Sequence, residues 1–304
     1  MDSQLISELE AVGGELFAAS FKGCDEIVID QPGFTAKISL WGGHLTSFVQ
    51  NSSEDLLFQS SNDGSDSRFG RKHFGVPVCW PWFGANSEFT DLPAHGLARY
   101  FRWELEDVGR FKNGDVKVVI KLESDKHPLI EDMWPQAFEL KQIFRLGDGF
   151  QVNFSAANLS NEPVQVSEAF HTYFHVGDSH LSVVKGLDGL EYIDKFMGGQ
   201  HRQKREIFPC TFLDRIYLNA PSVTYLDDPV FNRRISIVTE GTSCVVVWNP
   251  GEELSRERND MLDEDYRSFV CVESANALAK MHTVGPREIY HLKMKVTSKT
   301  LMNS

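Results

Sequence analysis

Along most of the chain, apolar and polar residues alternate in short runs, the period-2 signature of half-buried β-strands. Glu26-Ile27-Val28-Ile29-Asp30 and Ala36-Lys37-Ile38-Ser39-Leu40 flank a Gln31-Pro32-Gly33 turn and predict a hairpin. Trp41-Gly42-Gly43-His44-Leu45 breaks the pattern and Thr46-Ser47-Phe48-Val49 resumes it. Residues 116–122, 138–144 and 150–156 predict three more strands, and Val164-Gln165-Val166-Ser167 begins a fourth. Turn segments such as Lys112-Asn113-Gly114-Asp115, Gly147-Asp148-Gly149 and Ser160-Asn161-Glu162-Pro163 separate them. The later runs, 235–238, 243–248 and 269–272, are more continuously apolar, as strands covered on both faces are. Helical periodicity is confined to the start, where Leu5, Ile6 and Leu9 predict a short amphipathic helix over residues 1–14. With no internal repeat and no linker, the pattern predicts an all-β fold. A single large antiparallel β-sandwich domain spans 1–304, with 296–304 as a tail.

Composition narrows the picture. The chain has 304 residues, 41% hydrophobic and 24% charged, ordinary values for a folded soluble protein. No run of about 18 apolar residues predicts a membrane span, and the acidic beginning lacks a signal-peptide pattern. The five cysteines, Cys24, Cys79, Cys210, Cys244 and Cys271, are odd in number, widely spaced and free of any CxxC pair. They predict free thiols in a reducing, cytoplasmic compartment, so the Asn-x-Ser matches at Asn51 and Asn158 are discounted as glycan acceptors. The formal net charge of −13 argues against a nucleic-acid partner. It also repels small anions unless a site gathers positive charge locally.

Residues 74–103 hold three tryptophans, four phenylalanines and three prolines, together with His95 and Arg99. Such a segment suits a binding wall, because rigid planar side chains cover a sugar or base face at low entropic cost; it equally suits a core-packed crossing loop. Three further places carry chemistry: Glu168-Ala169-Phe170-His171-Thr172-Tyr173-Phe174-His175, Asp214-Arg215, and Glu273 at the end of the 269–272 run. Strand alternation puts His171 and Tyr173 on the face opposite Phe170 and Thr172, and Glu273 on the face of Cys271. Each has a bland alternative. His171 could be a satisfied core histidine, Glu273 a strand end reaching solvent, and Asp214-Arg215 an exposed ion pair worth about 0–1 kcal/mol. His171 and His175 have no third ligand at a recognisable spacing and no HExxH, so no metal is expected. Residues 60–70 resemble a calcium loop only superficially, for no acid closes the loop. A GxSxG elbow, a P-loop and a GxGxxG are absent.

Seven blocks in order resemble the glucose-6-phosphate 1-epimerase (hexose-6-phosphate mutarotase) family of the aldose-1-epimerase superfamily. They are Gly75-Val-Pro-Val-Cys-Trp-Pro-Trp-Phe-Gly84, Leu92-Pro-Ala-His-Gly-Leu-Ala-Arg99, His171-Thr-Tyr-Phe, Val176-Gly-Asp178, Asp214-Arg-Ile-Tyr-Leu-Asn219, Val247-Trp-Asn-Pro-Gly251 and Phe269-Val-Cys-Val-Glu273. The resemblance covers residues 26–295 and implies a galactose-mutarotase-like antiparallel β-supersandwich. It implies His171 as general acid, Glu273 as general base, and His95, Arg99 and Asp214 as substrate-binding residues. The implied partner is a small sugar phosphate, with no cofactor, no nucleic acid and no membrane; the chain is expected to be a cytoplasmic monomer. Anomer interconversion removes a proton from the anomeric hydroxyl while the ring oxygen gains one. A carboxylate within about 3 Å and an imidazole that titrates near neutrality suit those two roles.

One departure concerns the phosphate. The family carries Arg-Gly-Gly before its Val-Pro segment, whereas this chain has His73-Phe74-Gly75. Arg71 and Lys72, just upstream, are the candidates to replace the missing charge, so Arg71 and His73 join the expected substrate-binding set. Unphosphorylated aldoses are the alternative substrates, and a non-catalytic sugar- or sugar-phosphate-binding protein of the same fold is the alternative function.

Overall fold

The structure is a computed structural model that describes residues 16–21, 24–51, 53–62, 74–86, 91–209 and 211–301. The helix expected over 1–14, most of the polar loop over 60–70, and Arg71, Lys72 and His73 lie outside the described residues. Two eight-stranded antiparallel sheets dominate. The first runs Gln200–Arg202, Glu191–Asp194, Leu213–Leu218, Cys244–Asn249, Phe269–Asn276, Glu168–Phe170, Val78–Cys79, with Tyr173–His175 also on Phe269–Asn276. The second runs Val183–Lys185, Val223–Asp228, Arg233–Glu240, Ile289–Thr300, Gly149–Asn158, Phe138–Gly147, Val116–Glu123, Glu104–Arg110. A four-stranded sheet of Leu16–Phe21, Cys24–Gln31, Phe34–Ser39 and His44–Gln50 contacts the second sheet through Phe48 and Phe150, whose ring centroids are 5.6 Å apart.

The alternation read along the chain is the alternation of burial. In Phe138–Gly147 every second residue is buried, and the one polar member, Gln142, donates to the carbonyl of Gly43. That bond offsets the cost of burying the amide's donor end, while its Oε1 has no partner among the described residues. The next turn needs glycine: Gly149 has φ +87°, and a Cβ there would stand 2.1 Å from the carbonyl oxygen of Val296. By contrast, all eight residues of Phe269–Asn276 are buried: the apolar run 269–272 predicts this for its first four, and the polar Glu273, Ser274 and Asn276 are buried with them. Phe170, Phe174, Val245, Val247, Val270 and Val272 of the first sheet share one core with Phe154, Leu292 and Met294 of the second.

Two expectations are corrected. Residues 296–300 are not a tail: Ile289–Thr300 is one strand, with Met294 and Val296 buried, and it pairs with Arg233–Glu240 through Thr300. Two short helices, Pro128–Met133 and Gly251–Glu257, also exist; at six and seven residues they are too short to show a helical period. No described helix is long and apolar enough to cross a membrane.

Candidate active site

The first sheet's outward face carries the site, and strand register assembles it. Phe170 pairs with Ser274 and Tyr173 with Cys271, so the segments Glu168–Phe170 and Tyr173–His175 are one interrupted strand in constant register. His171 therefore lies directly opposite Glu273, and Nε2 of His171 stands 3.4 Å from Oε1 of Glu273. At the interruption the backbone turns away: His171 N–H donates to Pro77 and Tyr173 N–H to Gly75. Period 2 then places Tyr173 beside His171, the rings stacked at 4.8 Å, while Phe170 and Phe174 point into the core. Both members of the pair are deeply buried, His171 at 6% and Glu273 at 1% exposure. Nδ1 of His171 and Oε2 of Glu273 have no hydrogen-bond partner among the described residues.

The crossing segment brings His95 and Arg99 to this pair. His95 sits at φ 68° and is followed by Gly96 at φ 78°. A Cβ on Gly96 would stand 2.0 Å from the carbonyl oxygen of Trp80, so only glycine allows this close approach. The turn sets the His95 ring edge-on to His171 at 5.2 Å and against Phe83 at 5.1 Å. Gly84 N–H donates to His95 Nδ1 at 3.3 Å, which leaves the proton of the neutral ring on Nε2. Arg99, in the short Ala98–Tyr100 turn, is 8% exposed. Asp214 lies opposite Trp248, which lies opposite Cys271, so the acid reaches the same face two strands away. Its neighbour Arg215 points elsewhere, pairing with Asp194 at 3.2 Å and stacking on Tyr192, which removes the reading of Asp214-Arg215 as an ion pair.

Two cations join the site from loops. Lys195 places its Nζ 5.4 Å from the Phe83 ring centre. Arg258 follows the Gly251–Glu257 helix, lies 5.9 Å from the Trp248 ring centre and is held by two hydrogen bonds to Asp260. Neither position had a sequence signal, because both lie in irregular segments and are brought in only by the pairing of the strands around them.

Burial dominates the electrostatics. It pushes the His171 imidazole down to about 3, helped by the charges of Arg99, Arg258 and Lys195. Burial pushes the Glu273 carboxyl well above the usual range, Asp214 adds to that, and Lys195 and Arg99 oppose it. The free site therefore favours a neutral imidazole facing a protonated carboxyl. That is the reverse of the ionised base and protonated acid expected from the residue types, because burial disfavours the charged form of each group. The Asp214 carboxyl is likewise raised by burial, with Lys195 pulling it down.

Several aromatic residues of residues 74–103 belong to the core, not to a binding wall. Trp80 is 2% exposed, packs edge-on to Phe138 and donates to Tyr290 Oη at 2.9 Å. Trp82 donates to the carbonyl of Pro93, and Trp103 to that of Ala98. Among the described phenylalanines of this segment, Phe83 stands beside His95. His175 is also apart from the site, its ring against Phe231 at 5.0 Å. A cavity of about 510 Å³ elsewhere is lined by His180, Phe196, Phe212, Glu253 and Tyr266. None of the described candidate residues lines it, so the site is located by convergent chemistry and not by cavity size.

Residues 25–297 match the family model "Aldose 1-epimerase". A protein of Escherichia coli strain K12 named "Putative glucose-6-phosphate 1-epimerase" is 34% identical over 272 residues, 88% of this chain and 89% of that one. The crystal structure of a "putative mutarotase" from Salmonella typhimurium superposes with TM-score 0.85 at 29% identity, covering 97% of this chain and 99% of that one. A galactose mutarotase-like protein of Clostridium acetobutylicum shares the fold, with TM-score 0.75 at 15% identity over 94% of this chain and 98% of that one. The order of the strands, the blocks they carry and these likenesses agree: the chain belongs to the aldose 1-epimerase family.

Proposed function

We propose that this protein interconverts the α and β anomers of a hexose 6-phosphate, glucose 6-phosphate first, with His171 and Glu273 as its acid–base pair. The observation that supports this most is their cross-strand placement at 3.4 Å, among the charges of Arg99, Lys195 and Arg258, in a chain of net charge −13. A local cluster of cations is what a phosphorylated sugar needs to approach an acidic protein. The name of the E. coli relative supports the same substrate class, and that of the Salmonella structure supports anomer interconversion.

In this mechanism the anomeric hydroxyl donates to Glu273, and that hydrogen bond, with the charges of Lys195 and Arg99, stabilises the ionised carboxylate. The proton the pair shares then rests on His171, which delivers it to the ring oxygen as Glu273 takes the anomeric proton. The ring opens to the aldehyde, the C1–C2 bond turns, and closure with the roles reversed gives the other anomer. No electron changes hands, so the chemistry asks only for a base, an acid and positioning. His95 donates from Nε2 to a ring or anomeric oxygen, Asp214 accepts from sugar hydroxyls, and Arg99 holds the phosphate, with Arg71 and His73 as further contacts.

One observation favours a second reading. His73 stands where the family carries arginine, which weakens the expected phosphate site and makes free aldoses rival substrates. NMR measurement of anomer exchange on glucose, galactose and their 6-phosphates decides between them. The proposal expects the highest kcat/KM on glucose 6-phosphate; equal or higher values on the free sugars refute it.

A further inference from the structure

We propose that His171, Cys271 and Glu273 form a binding site for a thiophilic divalent cation, zinc foremost, and that the bound cation blocks the reacting pair. One nitrogen, one sulfur and one carboxylate oxygen of these residues lie within 4.8 Å of one another, and all three residues are buried. Tetrahedral zinc holds N, S and O ligands at about 2.0–2.3 Å, which spaces ligand atoms roughly 3.5 Å apart. The imidazole–carboxylate separation of 3.4 Å is already of that size. Register explains the third ligand: Cys271 lies two residues before Glu273 on the same strand face, opposite Tyr173, and its side chain points where theirs do. Oε2 of Glu273 has no other partner to give up.

The positive surroundings do not forbid this cation. Zinc requires the thiolate and the carboxylate, so ligand protons leave as the ion enters and offset its charge beside Arg99, Lys195 and Arg258. A hard cation gains nothing comparable, since magnesium takes octahedral oxygen ligands and binds thiolate poorly. Thiol, imidazole and carboxylate thus select zinc or a similarly soft ion. With three protein ligands the fourth position stays open, in the volume the sugar is proposed to occupy.

Blocking rests on the function proposed above, but binding does not, and the two are read separately. Zinc is titrated calorimetrically into the full chain in buffers of different ionisation enthalpy, and cobalt(II) is added as a spectroscopic probe. The expected result is one zinc bound with release of protons, a thiolate-to-cobalt charge-transfer band, and anomer exchange that falls with zinc and returns with chelator. Cys271→Ala is expected to exchange anomers at about the wild-type rate, to lose the band, and to bind zinc at least about 100-fold more weakly, the upper range for loss of an outer-shell partner. Cys271→Ser, nearer in volume, gives the same outcome if the alanine variant melts early. Absence of zinc binding in the wild type, or equal binding by the folded cysteine variants, overturns the site. Binding through Cys271 with undiminished anomer exchange overturns the blocking. A wild type that binds zinc but exchanges no anomers refutes the proposed function and leaves the metal site standing.

Discussion

Replacing Glu168 by glutamine reverses the order of stability of the two proteins between acid and alkaline pH. Glu168 is fully buried on the strand that leads to His171. Its Oε1 accepts from Asn276 at 2.7 Å, and its Oε2 accepts from Tyr290, which in turn accepts from Trp80. Asn276 ends the strand that carries Glu273, so the carboxyl ties together the two strands that carry His171 and Glu273. Burial raises the Glu168 carboxyl from its usual 4.5 to about 7, against the pull of its Asn276 and Tyr290 hydrogen bonds. The unfolded chain releases this proton near 4.5 while the folded chain keeps it, so its stabilising effect is complete below 4.5 and is lost as pH rises through about 7. The whole loss is about 3 kcal/mol, at about 1.4 kcal/mol for each pH unit. Glutamine does not titrate, but it leaves one hydrogen of the Tyr290–Glu168 network unmatched, at a cost of about 1 kcal/mol. Urea unfolding at about pH 4 should therefore find Glu168→Gln less stable by about 1 kcal/mol, and at about pH 8.5 more stable by roughly 2 kcal/mol. A stability difference of one sign at both pH values refutes the buried, proton-retaining carboxyl.

Three further outcomes follow from the geometry. Arg99→Ala is expected to raise KM for glucose 6-phosphate about 10- to 100-fold, the equivalent of one charge-assisted hydrogen bond, with far less effect on glucose; equal effects in a steady-state anomerase assay remove its phosphate role. Gly96→Ala drives a Cβ into the Trp80 carbonyl at a positive φ and is expected to cost more than about 2 kcal/mol, read as a lowered Tm; an unchanged Tm contradicts the close approach. Trp80→Phe loses the bond to Tyr290 and some packing, costing roughly 1–3 kcal/mol of stability without changing KM. A raised KM with normal stability would return Trp80 to the binding wall.

Much of the sheet was legible because burial on one face leaves a period of two in the chain. That period also placed His171 with Tyr173, and Cys271 with Glu273, before any pairing was known. It does not state which strands pair or in what register, so the step from two separate faces to one imidazole opposite one carboxylate needs the structure. Trp80 and Trp82 show another limit: aromatic rings beside prolines look alike whether they line a cleft or fill a core, and indole hydrogen bonds to Tyr290 and Pro93 settle the matter. Lys195 and Arg258 were invisible because a lone cation in a loop has no pattern. The protonation of the free site was not legible either, since residue types carry their solution pKa values and the burial that shifts them belongs to the fold.

The central claim is that His171 and Glu273 act on one sugar as one unit. NMR exchange spectroscopy on glucose 6-phosphate, comparing wild type with His171→Ala, Glu273→Gln and the double variant, tests it most directly. Each single change is expected to lower kcat at least about 100-fold, and the double variant to be little slower than either, as for groups that work as a unit. A folded single variant exchanging anomers near the wild-type rate contradicts the account.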